Sequence, residues 1–372
     1  MKESFNIATG MGPLAPLMND QDITDILVNG PSKVYVERMG MIEKTSIQFT
    51  SDEEILALIQ RIAAYVGRRI DTDSPMADLR LPDGTRVNAT VPPASVDGPT
   101  ISIRRFGRRR LRRVDLVAHG MLSDEMSELL EVAVRARKNI LVCGGTGAGK
   151  STLLSAIAEA IPNAERIVTI EDIAELMLDQ EHVVRMETRP ADIDKTGREI
   201  TTRDLVVNSL RMRPDRIIVG EVRQGEALDM LQAFNTGHNG SMGTIHANTP
   251  RDAISRLETM VLMAGYDLPS RAIREQIVSA ISLFVHVRRF EDGVRRLESI
   301  SEVTGIEGNT PLMQEIFSFR RKGERGVRIA GEFMPTGIVP RFFDELRESG
   351  MEPPVHLLQK KIPKPEGAAL RR

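Results

Sequence analysis

At 372 residues, with 41% hydrophobic and 27% charged positions, the chain is long enough for two or three domains with cores of their own. A formal net charge of −2 gives no global basic excess, which argues against nucleic-acid binding by overall charge. The one cysteine, Cys143, excludes an internal disulfide and a cysteine-cluster zinc site. No apolar run follows Met1-Lys2-Glu3-Ser4, so no secretory signal is evident. The longest apolar stretch, Ile277 to Val287, is interrupted by Ser279, Ser282 and His286 and is too short for a bilayer, which takes about 20 residues. A cytoplasmic protein is expected, one able to dock on a membrane partner.

Residues 1–104 read as a small α/β domain. Ile23–Val28 and Lys33–Arg38 flank the turn Asn29-Gly30-Pro31-Ser32, a hairpin signal. Ser51 to Val66 opens on a Ser cap with acidic residues behind it, and Ile55, Leu58, Ile59, Ile62 and Val66 recur at helical spacing. Asp83-Gly84 joins Asp78–Leu81 to Arg86–Val91, a second hairpin, and Thr100–Arg104 reads as a last strand. Arg104 to Arg113 then holds seven arginines in ten residues. This composition shift marks a boundary, with 105–117 as linker. Its basic run suits a nucleic-acid or acidic-lipid patch, a contact to phosphate at a subunit interface, or a solvated linker.

From 118 to 305 strands and helices alternate, the pattern of a parallel sheet with helical crossovers. Strands are expected at 139–143, 166–170, 183–187, 216–220 and 241–246, and helices at 123–136, 150–160, 202–212, 225–235, 250–264 and 269–280. Between the first strand and its helix lies Gly144-Gly145-Thr146-Gly147-Ala148-Gly149-Lys150-Ser151, the G-x-x-x-x-G-K-[ST] phosphate loop in its strand–loop–helix context. Its glycines let successive N–H groups turn toward one anion, and the helix N-terminus that carries Ser151 and Thr152 adds partial positive charge. Lys150 should reach the β- and γ-phosphates of ATP, and the Ser151 hydroxyl should ligate Mg²⁺. After 305 the chain turns to short strands and turns as far as 351. Residues 352–372, rich in proline and basic residues, read as a loosely ordered tail.

Three further groups carry chemistry. Arg216-Ile217-Ile218-Val219-Gly220-Glu221 is an apolar strand ending in a carboxylate. In phosphate-loop ATPases this strand lies beside the loop, so Glu221 can orient or deprotonate the attacking water. Gly220 stands where many such strands carry an Asp. Ile167–Glu175 offers the missing acid: Glu171 and Asp172 close a β-branched strand at its carboxyl end, where they can bind Mg²⁺ directly or through water. Thr236 to Asn248 carries His238 and His246 on a glycine-rich loop and strand end. A His there can donate to a γ-phosphate and register its loss, whereas His238 reads equally well as structural.

Phosphate loop, acidic strand end, Gly-Glu strand end and double-His segment, in that order, resemble the secretion-ATPase superfamily of type II and type IV secretion systems and type IV pili. Ile26–Pro31, Thr188-Arg189-Pro190, Arg211–Arg223 and Gly237–Asn248 are similar to the CpaF branch, which powers tight-adherence (Tad/Flp) pili. The resemblance implies a hexameric ring. It implies a RecA-like C-terminal ATPase domain behind a smaller, PAS-like α/β N-terminal domain, with nucleotide between the two. It brings N-terminal arginines to the phosphates, matching Arg86 and Arg104 or Arg105 here, and it also matches Arg211, Arg213 and Arg223. It implies inner-membrane platform proteins as partners, peripheral membrane association through them at the inner face of the cytoplasmic membrane, and no nucleic acid. The family's longer members carry an extra helical region ahead of Gly12-Pro13-Leu14, where this chain almost begins, and the tetra-cysteine element of some relatives is absent.

The reading is a Mg·ATP-hydrolysing motor for pilus assembly or retraction or for secretion. A RecA-like nucleic-acid translocase or conjugative DNA-transfer ATPase is the alternative, and its discriminator is salt-sensitive stimulation by DNA. With 4% aromatic residues and no Trp, little is available for stacking on single strands. A nucleotide-gated scaffold without turnover is a third reading, opposed by Glu221 and the two-His segment.

Overall fold

The computed structural model describes residues 10–38, 41–105, 110–189, 198–322 and 329–359. The chain divides into two compact units, Met1–Arg110 and Leu111–Arg372. Arg108, Arg109, Pro190 and residues 360–372 of the expected tail lie outside the described residues.

The first unit is one antiparallel sheet with helices. It holds α1 (Ala15–Asn19) and α2 (Asp52–Tyr65), and strands β1 (Ile23–Asn29), β2 (Val34–Arg38), β3 (Met41–Lys44), β4 (Met76–Arg80), β5 (Arg86–Thr90) and β6 (Thr100–Arg104). The spatial order is β3-β2-β1-β6-β5-β4. Both expected hairpins form, β1 with β2 and β4 with β5. Alternation sends Ile26, Val28, Val34, Val36, Val87, Ala89, Ile101 and Ile103 inward, where they pack in one core with Ile55, Leu58, Ile59 and Ile62 of α2. Each fully buried Val, Leu or Ile side chain there contributes about 1.5–3 kcal/mol. Edge strand β3, not anticipated from the sequence, is exposed at all four positions, so it shows no burial alternation to read.

The second unit begins with α3 (Arg113–Ala118), inside the stretch read as linker, and α4 (Asp124–Arg135). There follow β7 (Ile140–Gly144), α5 (Lys150–Ala158), β8 (Ile167–Glu171), β9 (Val183–Glu187), α6 (Thr202–Ser209), β10 (Arg216–Val222), α7 (Glu226–Asn235), β11 (Met242–His246), α8 (Pro250–Met263) and α9 (Ser270–Ala280). The chain continues through β12 (Leu283–Arg289), β13 (Arg295–Glu307), β14 (Thr310–Arg321), β15 (Gly331–Pro335) and α10 (Phe342–Glu348). The nine strands run β15-β14-β13-β12-β7-β11-β10-β8-β9. From β12 to β9 every pairing is parallel, while β13, β14 and β15 extend the sheet antiparallel. The outcome is the expected α/β class, an antiparallel N-terminal sheet and a mixed C-terminal one.

Parallel strands covered on both faces read as continuous apolar runs. Ile140 and Val142 enter the core under α4 and α5, and Leu141 and Cys143 enter the opposite core under α7, α8 and α9. Burial there pushes the Cys143 thiol up to about 12, so it is a packing residue and not a nucleophile. Two features depart from the sequence expectation. β12, not anticipated from the sequence, is a central strand beside β7, and β13 and β14 are long strands of 13 and 12 residues where short ones were expected after 305. The arginine run also ends in ordered structure: Arg113 pairs with Glu131 at 2.7 Å, and Arg112 lies 3.7 Å from Asp179. Among the described residues no helix is long and apolar enough to cross a membrane.

Candidate nucleotide site

The helix after β7 packs on one face of the sheet and the helices after β11 on the other. Between two such strands the connections diverge, and a crevice opens at their carboxyl ends. Gly144, Glu171 and His246 are each the last residue of their strand, and Glu221 is next to last in β10, so four sequence-read groups meet along one edge.

The phosphate loop turns from β7 into α5 through Gly149, whose φ of +95° is a left-handed conformation that suits glycine at a helix start. In this structure Lys150 folds back: its Nζ donates to the carbonyls of Gly144 at 3.1 Å and Gly145 at 3.2 Å, and lies 3.8 Å from Glu221 Oε1. The carboxylate strand is not the immediate neighbour of the loop strand. β11 lies between β7 and β10, and Glu221 reaches across it. Ser151 and Thr152 follow in the first turn of α5, half-buried. Thr146 is exposed at the loop's crown, and Ala148 is buried beneath it.

Gly220 explains why this strand has no Asp before its Glu. A Cβ there would stand 2.8 Å from Glu171 Cγ, because the Glu171 side chain occupies that space. Glu171 is buried, and its Oε2 accepts the N–H groups of Glu175 and Leu176, both at 2.8 Å. Its other oxygen, Oε1, is buried without a hydrogen-bond partner. Burial raises the Glu171 pKa, against the lowering effect of those two amides. Asp172 is held from two sides: Oδ2 accepts Arg223 Nη1 at 2.7 Å and Oδ1 accepts the Thr202 hydroxyl at 3.3 Å. Arg223 also donates to Glu221 Oε2 through Nε at 2.8 Å and Nη2 at 2.5 Å.

These residues can serve a hard cation. Mg²⁺ takes oxygen ligands, keeps much of its water and is commonly shared with substrate phosphates. The Ser151 hydroxyl and the Asp172 and Glu171 carboxylates are of that kind, and the orphaned Glu171 Oε1 is an acceptor that a cation's water would satisfy. Among the described residues no group of three or more His, Cys, Asp or Glu forms a metal cage by itself.

The two histidines separate. The His246 pKa is lowered, first by burial and then by the positive charges of Lys150 and Arg256, so the ring is neutral at pH 7 and can donate to a phosphate oxygen. His238 sits before β11, at the amino edge of the sheet, opposite the phosphate loop. Its Nδ1 lies 3.1 Å from the Ala233 carbonyl, and its own carbonyl accepts the Ser241 hydroxyl at 2.6 Å. It is not brought together with the other groups.

In the N-terminal unit Arg86 and Arg104 face one another on β5 and β6, in a cross-sheet row that continues to Arg80 on one side and Asp25 on the other. Arg105 behaves differently, because its guanidinium donates to the backbone carbonyls of Asp20 and Ile23 within its own unit.

Two residues at the site were not read from the sequence. Arg289 and Arg295 are register partners on β12 and β13. Arg295 Nε donates to the Gly147 carbonyl at 2.8 Å, and a Cβ on Gly147 would meet Arg289 Nη1 at 3.7 Å. The hairpin that carries them is braced by Asp292, whose carboxyl Arg296 pulls down to about 2. A basic hairpin after an apolar strand was visible in Arg288-Arg289 and Arg295-Arg296; its place beside the loop was not.

The chain is similar to known proteins of one family. The family described as type II/IV secretion system protein matches residues 8–312. A putative conjugal transfer protein of Mycobacterium tuberculosis (strain H37Rv) is 39% identical over 306 residues, covering 81% of this chain and 86% of that protein. The conjugal transfer protein TrbB of Rhizobium radiobacter is 33% identical over 301 residues, covering 80% of this chain and 88% of its own length. Among solved structures, the pilus retraction motor PilT with bound ADP shares the fold at a TM-score of 0.54 and 20% identity, over 91% of this chain and 86% of that one.

Proposed function

This chain belongs to the type II/IV secretion system protein family, a family of ATPases, and we propose that it is the ATP-driven motor of a conjugal-transfer or type IV secretion machine. The similarity to conjugal transfer proteins at 39% and 33% identity supports that branch. The observation that carries the reading is Lys150 of the phosphate loop facing Glu221 at 3.8 Å across β11. A γ-phosphate beside Lys150 would lie within reach of a water held by Glu221.

In this proposal the amides of 144–151 hold the β- and γ-phosphates of ATP, with Lys150 moving off the Gly144 and Gly145 carbonyls onto them. Ser151 and Asp172, with Glu171 through water, would hold Mg²⁺, which would neutralise phosphate charge. Glu221 orients the attacking water, and His246, neutral, donates to the γ-phosphate until it leaves. Arg295 keeps the Gly147 carbonyl turned away from the phosphates. Arg86 and Arg104 supply further positive charge in a hexameric ring, while Arg105 anchors its own sheet. Catalysis is then positioning plus electrostatics, as phosphoryl transfer requires. The ring would act at the inner face of the cytoplasmic membrane through platform proteins.

A steady-state phosphate-release assay with Mg²⁺ tests the reading. Turnover should be present in the unaltered chain and cut by about 10³-fold in Glu221→Gln with ATP binding kept; turnover at the full rate in that variant removes Glu221 from its role. The second reading is a Tad pilus motor, favoured by the CpaF-like segments Ile26–Pro31, Arg211–Arg223 and Gly237–Asn248. Deleting the gene in its host separates the two readings: loss of surface pili with DNA transfer intact supports the pilus motor, and the converse supports conjugal transfer.

A further inference from the structure

The fork of Arg223 joins the two acidic groups that the sequence presents separately. Its Nε and Nη2 both end on one oxygen of Glu221, Oε2, while Nη1 ends on Asp172 Oδ2. The other Glu221 oxygen, Oε1, is left on the Lys150 side, 3.8 Å from Nζ and beyond hydrogen-bond distance. Two guanidinium donors converging on one carboxylate oxygen pin that oxygen, and with the side chain tethered at its Cα this restricts where the second oxygen can point. Arg223 itself is set by its neighbours, because the Arg223 N–H donates to Glu226 Oε1 at 2.7 Å at the start of α7. Asp172 is set independently by Thr202 on α6.

We propose that Arg223 is a positioning residue for ATP hydrolysis: it aims Glu221 Oε1 at the phosphate loop and ties that aim to Asp172. The inference rests on the role assigned to Glu221 above. The strand end that orients water and the strand end that faces the cation thereby move as one piece, with Arg223 as the link. A lysine in its place keeps the charge but carries its three donors on one nitrogen, without the rigid planar fork that spans Glu221 and Asp172 here.

The test is a double-mutant cycle on the full chain, read by single-turnover and steady-state phosphate release, by affinity for a fluorescent ATP analogue with Mg²⁺, and by thermal unfolding. Arg223→Lys should lower kcat about 100-fold, the size expected when a reacting group is misplaced by roughly 1 Å. Nucleotide affinity should stay within about twofold and the unfolding temperature should hold, since the phosphate loop and the core are untouched. In a Glu221→Gln background the same change should cost nothing further, because its target is gone. Asp172→Asn should reproduce part of the loss, about 10-fold, by freeing one arm of the fork. A kcat within twofold of the unaltered chain overturns the inference. So does a loss that persists at full size in the Glu221→Gln background, or one that follows falling affinity and unfolding temperature together. If Glu221→Gln alone keeps turnover, the assignment of Glu221 fails first, and that result is distinct from any of these.

Discussion

The two edges of the nine-stranded sheet use similar residues in opposite ways. At the amino edge Arg216 is fully buried, with its fork on Glu165 at 2.5 and 3.3 Å and on the carbonyls of Val134 and Gly240, both at 3.0 Å. Asn139 nearby donates to two carbonyls, those of Phe234 and Ala280, and accepts two N–H groups, those of Gly240 and Ser241. Each of those polar atoms is matched by a close partner within the protein. At the carboxyl edge Lys150 rests on loop carbonyls, Glu221 Oε1 faces an ammonium beyond hydrogen-bond distance, and Glu171 Oε1 has no hydrogen-bond partner. Buried polar groups are normally satisfied, so a saturated edge marks scaffold and an under-used one marks a place for ligand. One strand, β10, carries both kinds, with Arg216 at its start and Glu221 near its end.

That contrast can be broken by substitution. The largest effect is expected from Glu221→Gln, which should cut turnover by about 10³-fold with ATP affinity kept; comparable turnover would erase the functional half of the comparison. Next is Arg216→Met, which leaves Glu165 buried with less compensation. It should cost about 3–5 kcal/mol in unfolding experiments, with the nucleotide affinity of the folded fraction unchanged. A loss of affinity at full stability would make the amino edge functional. Lys150→Ala should weaken nucleotide binding about 10- to 100-fold, measured by titration, through lost charge-assisted hydrogen bonds, with little change in unfolding. Gly220→Ala forces a Cβ against Glu171 and should cost about 1–3 kcal/mol of stability together with part of the turnover; a neutral result would mean that the Glu171 side chain moves aside freely.

The smallest effect concerns pH. The pKa of His246 is lowered from its ordinary 6.5, so the folded chain binds this proton less readily than the unfolded one. Its contribution to stability is therefore full above pH 6.5 and declines as the pH falls below that value. Thermal unfolding followed downward from pH 7 should show a shallower decline in His246→Asn, and parallel curves would remove His246 from the acid response.

Much of this edge was legible locally. The phosphate loop announces itself because its glycines, lysine and hydroxyl are consecutive and its strand and helix adjoin it. Glu171, Asp172 and Glu221 are legible as strand ends because parallel strands buried on both faces are unbroken apolar runs, and the residue that stops the run stands at the edge. The hairpins of the N-terminal unit are legible because turn residues sit between alternating strands.

Strand order is a different kind of information, since burial and crossover packing choose it and no short window of sequence encodes it. Tertiary structure alone placed β11 between β7 and β10, set β12 on the other side of β7, and carried Arg295 to Gly147 across 148 residues of chain. It also put His238 on the edge away from the loop and committed Arg105 to its own sheet. The sequence by itself determined which groups could bind and cleave a triphosphate, because that chemistry needs particular residues at short spacing. Which of them meet, and that Arg223 joins Glu221 to Asp172, followed only from the packing of segments distant along the chain.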